Sequence, residues 1–187
     1  MAAILRYAGY PVTPWRNGGG VLRSIVEGDG WQVRLADIDA SVPFSDYRGY
    51  LRHFAIAAGA VVLQFPSGEA VACDPDSAVA VYPGGPAPYC ELIGPPPALA
   101  FNLIVEPDRV SGAIERVRVG RDRVRFGPEG GRIVAVLVQS GCIRAPDLTG
   151  SAVVDRLDSL TDLPASGVDL EAATGEAVVL VARAASR

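Results

Sequence analysis

The chain has 187 residues, 49% of them apolar and 20% charged, with a net charge of −4, which reads as a globular, water-soluble protein of one domain or two small fused lobes. It has no lysine, which excludes Schiff-base and pyridoxal-phosphate chemistry and a P-loop lysine. It has one histidine, His53, which excludes a multi-histidine metal site and a Ser-His-Asp arrangement using any other base.

Twenty-one glycines and 15 prolines suit a sheet protein with many turns rather than a helical one. The opening "MAAILRYAGYP" lacks a basic start followed by an apolar core, so no secretory signal is expected. No apolar run approaches ~18 residues, so no membrane span is expected. Three scattered cysteines, Cys73, Cys90 and Cys142, form neither a disulfide framework nor a CxxC pair. They read as reduced thiols of a cytoplasmic protein.

The first motif is "TPWRNGGG", Thr13 to Gly20. A phosphate loop needs a helix after its glycines, so that free N–H groups and the helix dipole face the anion. Here the β-branched "VLRSIVEG" follows and soon meets Gly28, Asp29 and Gly30, which predicts a strand ending in a hairpin. The glycines therefore serve backbone shape or close packing. "WQVRLADI" alternates apolar and polar positions as a half-buried strand does. "LRHFAIAAGAVVLQF" predicts two strands broken near Gly59. Strands are then predicted over residues 78–82, 99–105, 114–119, 123–127, 132–145 and 176–184. The one helical candidate is a short turn around "TDLPASG".

Many short strands with turns between them predict an all-β sandwich or barrel. "FAIAAGAVVLQF" and "VAVLVQSGCIRA" echo one another as strand, glycine turn and strand, which supports two lobes. A division near residues 106–122 places them at about 1–110 and 111–187.

"TPWRNGGGVLRSIV", "WQVRLADI", "PFSDYRGYLRHF" and "YPGGPAPYCELIGPPPALAFNLIV" stand in one order at compact spacing. Together they resemble the HutD/Ves family of bacterial cupin-like proteins, well over residues 5–110 and in outline beyond. The resemblance implies an RmlC-like jelly-roll bicupin, two β-barrel lobes in one chain. It also implies association with histidine utilisation and a regulatory or metabolite-binding role rather than catalysis, with a formylated glutamate as the kind of ligand. Family positions carried over are Trp15, Asn17, Gly18, Gly19, Gly20, Phe44, Ser45, Gly49, Arg52 and Asn102. The chain departs from the family at Ser24, where glutamate is frequent, at Arg34, usually serine, and at Gly85, where aspartate is common. It also reads "VEPDR" where a basic pair is usual. These departures point to a different ligand if they line the site.

Metal-dependent cupins need three histidines and a glutamate, a set this chain cannot build, so neither a metal nor a cofactor is expected. Alternation on "LRHFAI" puts Arg52, Phe54 and Ile56 on one face and Leu51, His53 and Ala55 on the other. An inward Arg52 needs an anion, either a protein acid such as Asp37 or Glu91, or a ligand carboxylate, which suits a guanidinium fork. Asn102 in "AFNLIV" needs partners from backbone or ligand. His53 reads as a packing histidine or an acid/base, and Ser45 as a turn cap. Trp15 and Asn17 read as pocket wall.

The expected ligand contacts are thus Trp15, Asn17, Ser45, Arg52, His53 and Asn102, holding a small molecule, a carboxylate by preference, with no catalytic residue assigned. One alternative is a metal-independent enzyme using His53 as acid/base; another is a protein-binding regulator with a vestigial pocket. The arginine run from Arg109 to Arg125 alternates with apolar residues as a solvated hairpin face does. Pairing with acids, also across a homodimer contact, is expected there rather than nucleic-acid binding.

Overall fold

The computed structural model describes residues 2–187 and is almost entirely β. Among the described residues the helical pieces are a 3-10 turn at Tyr7–Gly9 and a single α-turn at Pro146–Thr149. "TDLPASG", the helical candidate, instead ends the strand Ser159–Thr161 and turns around Gly167. Its Asp-Leu-Pro core disfavours helix, because a residue before proline is pushed out of the α region.

The chain divides into two compact units. The first to be described spans Pro11–Ser111 and holds two antiparallel sheets. One has the strand order Val12–Pro14, Gly20–Gly28, Trp31–Ile38, Ala98–Val105, Leu51–Ala58, Ala80–Pro83. The other has the order Val42–Pro43, Tyr89–Ile93, Ala60–Gln64, Ala70–Cys73. Their facing side chains form one core, with Ala36, Ile38, Phe54, Ile56 and Ala100 from the first sheet and Val61, Leu63, Cys73 and Cys90 from the second. Period-two alternation is what sends these residues inward and their neighbours outward.

The second unit combines the N-terminal segment through Tyr10 with Gly112–Ser186. Its larger sheet runs Ala3–Leu5, Ser159–Thr161, Arg132–Ser140, Ala177–Ser186, Val110–Val119. Its smaller one runs Val124–Phe126, Val168–Ala172, Ile143–Arg144. Ile133, Val136, Val138, Val179 and Val181 pack against Phe126, Ile143, Val168 and Leu170 between the two sheets. The sequence put residues 1–110 in one lobe; here Ala3–Leu5 pairs with Ser159–Thr161 and so stands with the later residues. Tyr10 fixes that arrangement, its hydroxyl meeting Leu157 O at 2.9 Å and Ser159 Oγ at 2.6 Å. Each unit is thus a jelly-roll-like sandwich of two sheets that do not close into one barrel.

"TPWRNGGG" forms a tight loop between Val12–Pro14 and Gly20–Gly28. Gly18 has φ +71°, a region that disfavours side chains. A Cβ at Gly20 would lie 1.9 Å from the Asp37 carbonyl oxygen, so only glycine fits against that strand. A strand follows the loop, as the β-branched sequence requires.

Candidate functional site

A cavity of about 60 Å³ opens between the sheets of the Pro11–Ser111 unit. In this measure one water needs roughly 10–15 Å³, so there is room for a few waters or a small acid group. Its floor is the inward face of the six-stranded sheet. Strand register aligns Leu22, Ala36 and Ala100 in one row, Arg34, Asn102 and Phe54 in the next, and Ile104 beside Arg52 in the third. Trp15, Phe44, Ser45 and Tyr47, from the loops, complete the wall.

Arg52 is 7% exposed, yet no carboxylate of the described residues pairs with it. Both acids that could have neutralised it are engaged elsewhere. Asp37 takes a bidentate contact from Arg23, with Nη2 to Oδ2 at 2.7 Å and Nε to Oδ1 at 3.0 Å. Glu91 accepts from Gln64 Nε2 at 2.8 Å. The Arg52 guanidinium donates from Nη2 to Asn102 Oδ1 at 3.1 Å, while its buried Nε has no partner. Aromatic rings surround it: Cζ lies 5.0 Å from the Phe44 centroid, 5.5 Å from Tyr82 and 5.6 Å from Tyr47. Such contacts offset part of the desolvation cost, at about 0.5–2 kcal/mol each, but they do not supply a counter-charge.

Asn102, 1% exposed, orients the arginine. Its Nδ2 donates to Ala100 O at 3.0 Å on its own strand, which leaves Oδ1 aimed at Arg52. Trp15 stands edge-on to Phe44 at 5.8 Å and 89°, and the exposed Ser45 sits at the mouth without a turn-capping hydrogen bond.

Two expected contacts lie elsewhere. Asn17 does not line the cavity: its Nδ2 donates to Pro43 O at 2.9 Å and its Oδ1 accepts from Gly19 N at 3.1 Å, stapling the glycine loop. His53 points from the opposite face of the sheet, as alternation with Arg52 requires. Burial lowers its pKa and leaves its Nε2 without a partner. From there it cannot reach a molecule held by Arg52.

Of the departures noted in the sequence, Arg34 lines the cavity, cross-strand from both Ser24 and Asn102. Ser24 sits at an irregularity in strand register and donates its N–H to Pro11 O at 2.9 Å. Gly85 abuts a neighbouring carboxylate: a Cβ there would fall 2.0 Å from Asp46 Oδ1, so Asp46 fills the space a side chain at 85 would take. Leu22, Ala36, Tyr47 and Ile104 join the cavity without having been singled out in the sequence. Strand register brings Leu22, Ala36 and Ile104 together, and the loop before Leu51–Ala58 adds Tyr47.

Among the described residues no group of three or more His, Cys, Asp and Glu side chains is placed to hold a metal. The three cysteines are free, and no helix is long and apolar enough to cross a membrane. Four arginines of the run pair with acids, Arg109 with Asp29 and Glu106, Arg118 with Glu176, Arg123 with Glu171 and Asp147, and Arg125 with Asp169, while Arg116 donates to Gln139.

With this geometry in view, the chain can be set beside known proteins. It is 32% identical over 120 residues to an uncharacterised 21.2 kDa protein in the hutC 3′ region of Pseudomonas putida. That stretch covers 60% of this chain and 62% of the relative, so the chain spans less than two thirds of the relative's length. A structure of HutD from Pseudomonas fluorescens SBW25 (formate condition) superposes with a TM-score of 0.80 at 23% identity, over 100% of both chains. The bacterial pirin YhhW of Escherichia coli, in complex with nickel(II), superposes with a TM-score of 0.69 at 11% identity, over 98% of both. These likenesses show the cupin-like fold. The HutD family model matches residues 7–180, and the chain belongs to the HutD family.

Proposed function

We propose that this protein is a non-catalytic binder of a small carboxylic acid, with Arg52 as its anion anchor and a regulatory role linked to histidine utilisation. The observation that carries the reading is the buried guanidinium of Arg52, held by Asn102 and three aromatic rings without a protein counter-ion. A charge taken out of water is costly unless it is paired, and an arginine fork matches a carboxylate in shape and charge. The cavity beside it has room for such a group. The link to histidine utilisation is supported by family membership and by the relative in the hutC 3′ region.

Calorimetric titration with formate, acetate and N-formylglutamate tests the reading, alongside Arg52→Met. Saturable binding by the wild type that is lost in Arg52→Met is the expected result. Absence of binding by all three acids, or binding undiminished in Arg52→Met, overturns it.

A further inference from the structure

A second arginine lines the cavity. Arg34 lies directly across the strand pair from Asn102, and Asn102 accepts the hydrogen bond of Arg52. The two arginines therefore stand on strands either side of the Asn102 strand, about 10 Å apart laterally at their backbones. Both side chains line the same cavity, and Arg34 donates from Nη1 to Val33 O at 3.5 Å. They differ in one respect. Arg52 lacks a counter-ion, whereas Arg34 Nη2 is paired with Glu27 Oε2. The Arg34 side chain is 11% exposed and that of Glu27 is 69% exposed. The buried partner belongs to the cavity and the solvated one comes from outside it. An exposed carboxylate loses little when it returns to water, so this pair is easily exchanged.

We propose that Arg34 is the second anion contact of the cavity and that Glu27 is its exchangeable resident counter-ion, so that the site selects small acids carrying two negative groups. The first carboxylate takes Arg52, and the second displaces Glu27 from Arg34. A monoacid of equal length leaves the Arg34–Glu27 pair in place and gains nothing from it. The inference rests on the reading of Arg52 as anion anchor and assigns the chemistry of the remainder of the ligand.

Succinate and butyrate, matched in carbon number, separate the two ideas when titrated into wild type, Arg34→Gln, Glu27→Gln and Arg52→Met. Wild type is expected to bind succinate about tenfold tighter than butyrate, the scale of one charge-assisted contact. Arg34→Gln should bring the ratio of succinate to butyrate affinity, measured within that variant, down to about one. Glu27→Gln should raise succinate affinity about two- to fivefold, because no carboxylate then has to be displaced from Arg34. Equal succinate and butyrate affinities in the wild type, or a succinate preference that survives Arg34→Gln, overturn the proposal while Arg52-dependent binding stands. Loss of both acids in Arg34→Gln overturns it too, because Arg34 would then be holding the cavity together. Wild type that binds neither acid overturns this proposal, while the titrations with formate, acetate and N-formylglutamate decide the reading of Arg52. Thermal melting of each variant confirms folding, and Arg34→Lys, which keeps the charge, should retain most of the succinate preference.

Discussion

Arg52 Nη2 reaches Asn102 Oδ1 at 3.1 Å, joining a buried charge to a buried neutral amide instead of an acid. That pairing gives the site a stability cost that can be measured. Replacing Arg52 with methionine, similar in length and uncharged, removes an unneutralised buried ion. Without ligand, Arg52→Met should be about 1–2 kcal/mol more stable than wild type in urea denaturation. A variant less stable than wild type would mean the guanidinium contributes net stability unaided.

Asn102 tests the same pair from the other side. Asn102→Leu strips Arg52 of its hydrogen-bond acceptor and should cost about 2–3 kcal/mol. Combined with Arg52→Met the loss should shrink, since no charge remains to be satisfied. A double-mutant cycle on urea midpoints reads this coupling, and strict additivity would show that the two side chains act independently.

Asn17 separates scaffold from site. Its two hydrogen bonds hold the glycine loop against Pro43, so Asn17→Ala should cost about 1–2 kcal/mol. Acid affinity should stay within about twofold of wild type, because the side chain does not line the cavity. Scanning calorimetry and titration together check both halves.

His53 sets the pH response in the window between its lowered folded pKa and the ordinary value of 6.5. Burial lowers its folded pKa below its ordinary 6.5. In that window the unfolded chain binds a proton that the folded chain does not, so stability rises with pH and is lost as pH falls. As the chain's one histidine, it should carry most of the slope there. Midpoint measurements from pH 5 to 7 on wild type and His53→Leu should show the slope flattened in the variant.

The thiols should divide by burial. Burial pushes Cys73 up to about 11, with nearby Asp74 adding to the rise, and pushes Cys90 up to about 12. Both are therefore protonated and shielded at neutral pH, while Cys142 is half-buried beside Thr174. A disulfide reagent should label one thiol rapidly in the folded protein and three in denaturant.

Much of this was legible in short segments. Alternation along "LRHFAI" separated Arg52 from His53, and the strand content followed from β-branched runs between glycines and prolines. Asn17 was misplaced because an asparagine beside glycines looks the same in sequence whether it faces a ligand or its own loop. The cavity floor was not legible, because Arg34, Asn102 and Phe54 become neighbours only through the register of three strands distant in the chain. The strand at Ala3–Leu5 escaped notice for the same reason: its partner lies more than 150 residues away.

That distant partner has a consequence for synthesis. Ala3–Leu5 is synthesised more than 150 residues ahead of Ser159–Thr161, the strand it pairs with. At typical elongation speeds the wait is on the order of ten to thirty seconds. During that time a short apolar segment has no strand to join, and the unit it belongs to cannot close. The other unit, contiguous from Pro11 to Ser111, can assemble while translation continues. The nascent chain can thus build the unit that holds the Arg52 cavity before the unit that takes in Ala3–Leu5.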